Sequence, residues 1–357
     1  MNKLEFKDFQ KAKNTFWGWF ENQNKKNNGK VQVWGKYYNA KSSLIARIYQ
    51  ETQGTTNSSQ LISFYKFLLK KNKKGELQRL KDIVVGDLNV LELRKNEIVR
   101  WLNKNNIDIS QIKDKIIEVF GYKNFRDNYG KDFLDLFKLK TCPYCNNAYL
   151  VNIKRNNKNK SLSQFDHFYP KDKYPYLSVS LFNLIPCCAN CNHNKHDNEY
   201  GLCNPYKKGL HEMIHFVIEP QSEMDFLVNG MKEEDKLKIK IIDKTLHAFA
   251  SEYEKAFGLS EIYAHHKDVV QEIYWKAYIY NDTYKKELNN LFKKGNINDF
   301  YSKLNNRKPR NIPTNNIDLS PSEIDRFILG NYTNEDDFHK RPLSKLTHDI
   351  AKDLGLI

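Results

Sequence analysis

Two Cys-x-x-Cys pairs, Cys142-Pro-Tyr-Cys145 and Cys188-Ala-Asn-Cys191, stand out as chemistry before anything else in this chain. Four thiolates in two half-sites suit tetrahedral Zn²⁺ and leave no coordination position open, so the ion they would hold is structural. Such a staple offsets the small core of a unit of roughly 60 residues. Cys187 and Cys203 are left over; Cys187 stands beside the second pair, but only Cys188 keeps the two-residue gap to Cys191. A redox role would need one pair, not two. Between the pairs lie residues that a zinc staple does not require: Asp166 and His167 after the strand-like SQF, Asn183 before the strand-like LIP, and Asn192 directly after Cys191.

Taken in order, Cys142-x-x-Cys145, Asp166-His167, Asn183 and Cys188-x-x-Cys191-Asn192-x-x-Lys195 resemble the HNH endonuclease family. The resemblance implies a central ββα-metal core, metal-dependent hydrolysis of phosphodiester bonds, and a second metal beside the zinc. His167 has the pKa range to take a proton from water at neutral pH and is the expected general base. By the resemblance Asp166 is a ligand of the catalytic metal, Asn192 supplies a second hard oxygen suited to Mg²⁺ or Mn²⁺, Asn183 braces the loop that orients His167, and Lys195 contacts a phosphate. The family often has His where this chain has Asn192. On a helix His196 would share the face of Asn192, whereas His193 would turn about 100° away, so Asn192 is favoured with His196 in reserve. The loop KDKYPYLSVSLF, with Lys171, Lys173 and two tyrosines, is a candidate contact for nucleic acid.

The rest of the chain must position this centre. Ile109, Ile112, Ile116, Val119 and Phe120 fall at helical steps that Gly121 would end, and Leu61, Phe64, Phe67 and Leu68 form a similar stripe after the polar stretch GTTNSSQ. FRDNYGKDFLDLFKLK reads as a short helix leading into the first cysteine pair, and AYLVNI, SQFDHFY and NLIPC as strands. LKIKIID reads as another strand, and from Lys244 to Lys293 long helices are expected, with Leu246, Phe249, Tyr253, Phe257, Ile262, Val269, Ile273 and Ile279 as their apolar positions. NNRKPRNIP breaks that pattern; Ser320, Pro321 and Glu323 then form a capping box, with Gly330 as the stop. The expected fold is α+β and predominantly helical. An N-terminal helical region (1–125), the ββα-metal domain (126–205) and a mainly helical C-terminal region (206–357) follow one another.

With 58 Lys+Arg against 43 Asp+Glu the chain carries +15, enough to attract a polyanion such as DNA or RNA, although Lys- and Asn-rich text also arises from coding bias. No apolar run approaches the roughly 20 residues that span a bilayer and no signal peptide opens the sequence, so a cytoplasmic protein without membrane association is expected. The tail FILGNYTNEDDFHKRPLSKLTHDIAKDLGLI, with NPYKKGLHEMIHF, resembles HNH proteins of Septu-type phage-defence systems. That resemblance implies an ABC- or SMC-like ATPase partner. Two rivals are a zinc-dependent nucleic-acid-binding or scaffold protein without catalysis, and a stand-alone restriction-type endonuclease.

Overall fold

A computed structural model describes residues 3–21, 30–33, 36–39, 44, 47–48, 58–155, 158–294 and 319–357. It is mostly helical, with small two-stranded sheets and two compact units. One unit comprises residues 3–144 and 150–209, the other 145–149 and 210–357. The break expected at NNRKPRNIP lies outside the described residues. None of the described helices is long and apolar enough to cross a membrane.

In the first unit, helices α1 (Phe9–Glu21), α2 (Ser58–Leu68), α3 (Gln78–Val85), α4 (Leu88–Lys104) and α5 (Lys113–Phe120) precede the cysteines. The stripe read from spacing is buried at Ile112, Ile116, Val119 and Phe120, and Gly121 ends α5 in the left-handed conformation at φ 77°. The polar stretch before Leu61 is not wholly a loop, because α2 already begins at Ser58. After a helical turn at Tyr122–Asn124, the backbone widens into a π-turn at Phe125–Tyr129 before α6 (Gly130–Leu134). Gly130 permits close approach of a strand: a Cβ there would meet the Phe165 ring at 2.6 Å.

Between α1 and α2, β1 (Lys30–Val33) pairs antiparallel with β2 (Lys36–Asn39). Four short strands follow α6. β3 (Asn152–Arg155) and β4 (Lys158–Ser161) form one antiparallel ribbon, and β5 (Gln164–His167) pairs antiparallel with β6 (Leu184–Cys187), Asp166 opposite Ile185 and His167 opposite Leu184. Phe165 fixes β5 from below, its ring 5.3 Å from Phe125 and 5.6 Å from Phe133. Helix α7 (Ala189–Lys195) leaves directly from β6 through Cys188, its N-cap.

In the second unit β7 (Ile214–Ile218) pairs antiparallel with β8 (Ile239–Asp243), and β7 alternates buried Ile214, Phe216 and Ile218 with half-exposed His215 and Val217. The helices expected between Lys244 and Lys293 are shorter than the pattern suggested: α8 (Phe249–Phe257) is stopped by left-handed Gly258, and α9 (Leu259–Tyr263), α10 (Lys267–Ile279) and α11 (Asp282–Lys294) follow. Leu246 precedes them fully exposed, and Ile279 is 53% exposed, while Tyr253, Phe257 and Ile273 are buried as expected. Helix α12 (Pro321–Leu329) carries the capping box, the Ser320 N–H donating to Glu323 Oε2 at 2.9 Å, and ends at Gly330 with φ 71°. Helix α13 (Ser344–Asp353) is capped by Asn146, whose Oδ1 accepts from the Lys345 N–H at 3.0 Å.

Candidate active site and metal centre

Cys142, Cys145, Cys188 and Cys191 come together with every Sγ within 4.8 Å of the others. A tetrahedron of Zn–S bonds near 2.3 Å sets the sulfurs about 3.8 Å apart, so the cluster fits such an ion. Backbone N–H groups turn toward the sulfurs: Cys188 N–H to Cys142 Sγ at 3.4 Å, Asn147 N–H to Cys145 Sγ at 3.4 Å, and Cys191 N–H to Cys188 Sγ at 3.5 Å. These donors favour thiolate over thiol, the form a metal requires. Cys187 stays out of the cluster, buried on β6 opposite Gln164.

Alternation along β5 separates its two polar residues. Asp166 shares its face with Gln164, and both meet α7: Asn192 Nδ2 donates to Gln164 Oε1 at 2.6 Å, and Lys195 Nζ donates to Asp166 Oδ1 at 3.0 Å. The second Asp166 oxygen accepts from the Tyr144 hydroxyl at 2.6 Å. Asp166 is 2% exposed; burial raises its pKa, and the charge of Lys195 and the Tyr144 hydrogen bond oppose that rise without cancelling it.

Lys195, expected to reach a phosphate, lies 1% exposed, and its ammonium also donates to the His167 carbonyl at 2.8 Å. In this arrangement the lysine serves the interior of the unit rather than a solvent-facing ligand. His196 does not share the helical face of Asn192, because α7 ends at Lys195. Its backbone turns to φ 49°, and its ring lies in solvent 3.5 Å from Asp197. His193 is exposed.

His167 projects to the other face of β5. Its ring lies 4.6 Å from that of Tyr122, and Nε2 is 2.9 Å from the Ser178 carbonyl oxygen. A carbonyl only accepts, so Nε2 carries the proton and the neutral ring keeps its lone pair on Nδ1. Burial pushes the His167 pKa down to about 4, which keeps the imidazole neutral at pH 7.

Asn183 holds the loop that presents Ser178. Its Oδ1 accepts from the Tyr169 N–H at 2.7 Å, and its Nδ2 donates to the carbonyls of Tyr169 at 3.1 Å and Leu177 at 3.0 Å. Helix α3 fixes the same loop from behind, the Ile83 carbonyl accepting from Ser180 Oγ at 2.6 Å and the Val84 carbonyl from the Leu181 N–H at 2.8 Å. The loop cations are already engaged: Lys171 with Asp197 at 3.1 Å and Lys173 with Glu199 at 2.5 Å.

Sequence reading missed Tyr144, Tyr122, Ser178 and Gln164. Tyr144 alone carried a signal, a hydroxyl inside the first Cys-x-x-Cys; the other three become neighbours only through packing.

With this geometry in hand, comparison with known proteins adds one relationship. Over 83 residues the chain is 32% identical to the Septu protein PtuB of Bacillus thuringiensis. The similarity is distant and partial: it covers 22% of this chain and 30% of that protein. No family model matches the chain, and no solved structure matches it significantly.

Proposed function

We propose that this chain is an HNH-type endonuclease, built on a zinc-stapled ββα-metal core, that hydrolyses phosphodiester bonds in DNA or RNA. Its setting would be anti-phage defence beside an ATPase partner of the ABC or SMC-like kind, and its compartment the cytoplasm. The observation that carries the chemistry is His167 held in a single tautomer by the Ser178 carbonyl, on a loop that Asn183 braces from both ends. In the hydrolysis a water oxygen attacks phosphorus, the water's proton passes to His167 Nδ1, and the leaving oxygen departs with the bond's electrons. The defence setting rests on the partial similarity to the Septu protein PtuB and on the tail of the sequence.

Zinc on the four cysteines would be structural, fixing the start of α7 against the strands. The second metal is a different matter. Asp166 and Asn192 offer the hard oxygens that suit Mg²⁺ or Mn²⁺, yet both Asp166 oxygens are engaged here, and an ammonium 3.0 Å from Oδ1 opposes a second cation at the same atom. These residues as arranged do not present a cation site. Binding one at Asp166 requires Lys195 to withdraw. The same ion pair favours the rival reading, a zinc-stapled nucleic-acid-binding protein without catalysis.

One experiment separates the two. The purified chain, alone and with an ATPase encoded beside it, is incubated with duplex DNA, single-stranded DNA and tRNA, with and without Mg²⁺ or Mn²⁺. The nuclease reading expects metal-dependent cleavage that His167→Ala abolishes while zinc content and melting stay as in the parent. Absence of cleavage of every substrate in the presence of the partner would leave the non-catalytic reading standing.

A further inference from the structure

Six cations and no carboxylate lie between Asp135 and Asp166: Lys138, Lys140, Lys154, Arg155, Lys158 and Lys160. With 43 carboxylates spread over 357 residues, a gap of this length leaves a run of cations with no carboxylate beside them in the sequence. The fold gathers it further. Four of the six stand on the β3–β4 ribbon, in register with Ile153 opposite Lys160, Lys154 opposite Asn159 and Arg155 opposite Lys158.

Asn152 anchors the ribbon, Nδ2 donating to the Lys131 carbonyl and to Asp135 Oδ1, each at 3.0 Å, where α6 ends. At the base the Leu150 N–H donates to the Lys140 carbonyl at 2.8 Å, which lays Lys140 alongside the ribbon. Lys138, Lys140 and Lys154 are exposed and make no ion pair among the described residues. Lys171 and Lys173, by contrast, already have carboxylate partners.

We propose that the β3–β4 ribbon, with Lys138 and Lys140 at its base, grips the phosphate backbone of the nucleic acid cut at His167. This deepens the nuclease reading and rests on it for the identity of the bound strand. Charge of this kind binds by releasing counterions, without base recognition. Chain length sets the reach. Lys160 precedes His167 by seven residues, at most about 23 Å of extended chain, so the gripped phosphates lie within about seven base steps of the cut.

The test compares three proteins, each also carrying His167→Ala so that substrate survives: the parent, a ribbon variant (K154Q, R155Q, K158Q and K160Q) and a control with equal charge removed (K70Q, K71Q, K73Q and K74Q). Fluorescence anisotropy of a labelled 30-base-pair duplex and a labelled 30-nucleotide single strand is measured from 50 to 200 mM salt. The ribbon variant is expected to lose at least tenfold in affinity at 100 mM salt and to flatten the log–log salt slope by about three, while the control changes the slope by less than one. An unchanged slope in the ribbon variant, or an equal change in the control, overturns the proposal. So does displacement of the nucleic acid by polyglutamate at equal charge concentration, which would assign the ribbon to an acidic protein. Cleavage by the His167-containing protein is scored separately. Cleavage with an unchanged ribbon slope sinks the ribbon alone, whereas a flattened slope without cleavage keeps the ribbon and removes the nuclease reading.

Discussion

Among the described residues each unit buries a Lys–Asp ion pair, and the two pairs are built differently. In the second unit Lys345 bonds Asp349 one turn along α13, both about 1% exposed or less. Asp349 also accepts from the Phe216 N–H of β7 at 2.9 Å and faces His215 at 3.3 Å, whose other nitrogen meets Asp353 at 2.9 Å. Burial alone would raise the Asp349 pKa, but His215 3.3 Å away, the charge of Lys345 and the hydrogen bond from the Phe216 N–H bring it down to about 2. Lys345, giving its charge to this one carboxylate, is pulled down by burial to about 8, so both partners stay ionised at pH 7. In the first unit Asp166 has Lys195 and the Tyr144 hydroxyl and, among the described residues, no backbone donor to its carboxylate, and its pKa stays raised. The difference separates a clasp from a carboxylate held by two removable side chains. The clasp ties a helix to a strand through a main-chain amide. The carboxylate of the first pair stands directly before the candidate base.

The largest perturbation tests whether the first pair depends on a metal staple. Stripping the cysteine cluster with a strong chelator is expected to release one zinc per chain and collapse amide protection along Cys188–Lys195 and β5, since structural zinc contributes on the order of 10 kcal/mol. Hydrogen exchange followed by mass spectrometry reads this directly. Protection at Phe216 should fall far less; an equal loss there would erase the contrast between the pairs.

Next in size, Lys345→Met strands a carboxylate that remains ionised and should cost about 3–5 kcal/mol in urea unfolding. Lys195→Met should cost less, about 1–3 kcal/mol, because Asp166 keeps Tyr144 and can accept a proton. Equal losses would mean that the pairs are equivalent clasps. Activity sharpens the same comparison. If Lys195 shields Asp166, metal-dependent cleavage persists or rises in Lys195→Met. A tenfold or greater loss at unchanged zinc content would instead make Lys195 a contact to substrate.

The smallest expected effect is a pH slope. The Asp349 carboxylate 3.3 Å away raises the His215 pKa above its usual 6.5, with burial opposing and Asp353 adding to the rise. A raised histidine contributes stability that is fully present below its unfolded pKa and is lost as pH rises through the folded value. Melting temperatures from pH 5.5 to 8.5 should therefore decline more steeply in the parent than in His215→Phe. Parallel curves would show that His215 packs beside Asp349 without a charge role.

Among the described residues, the sequence determined what short-range chemistry controls. The choice of Cys188 over Cys187 followed from the two-residue gap, the end of α5 from Gly121, and the start of α12 from Ser320 and Glu323, because each needs only neighbours within a turn or two. That Asp166 and His167 face opposite ways follows from strand alternation alone. Tertiary structure decided what those side chains meet. Lys195 reads as a solvent-facing cation, since lysine is rarely buried unless paired, and the helix that carries it had to dock on β5 before Asp166 could become the partner. His196 lost its expected place when α7 stopped one residue short of it. The tautomer of His167 depends on a carbonyl eleven residues away whose position is set by Asn183 and α3, and carbonyls carry no mark in the sequence.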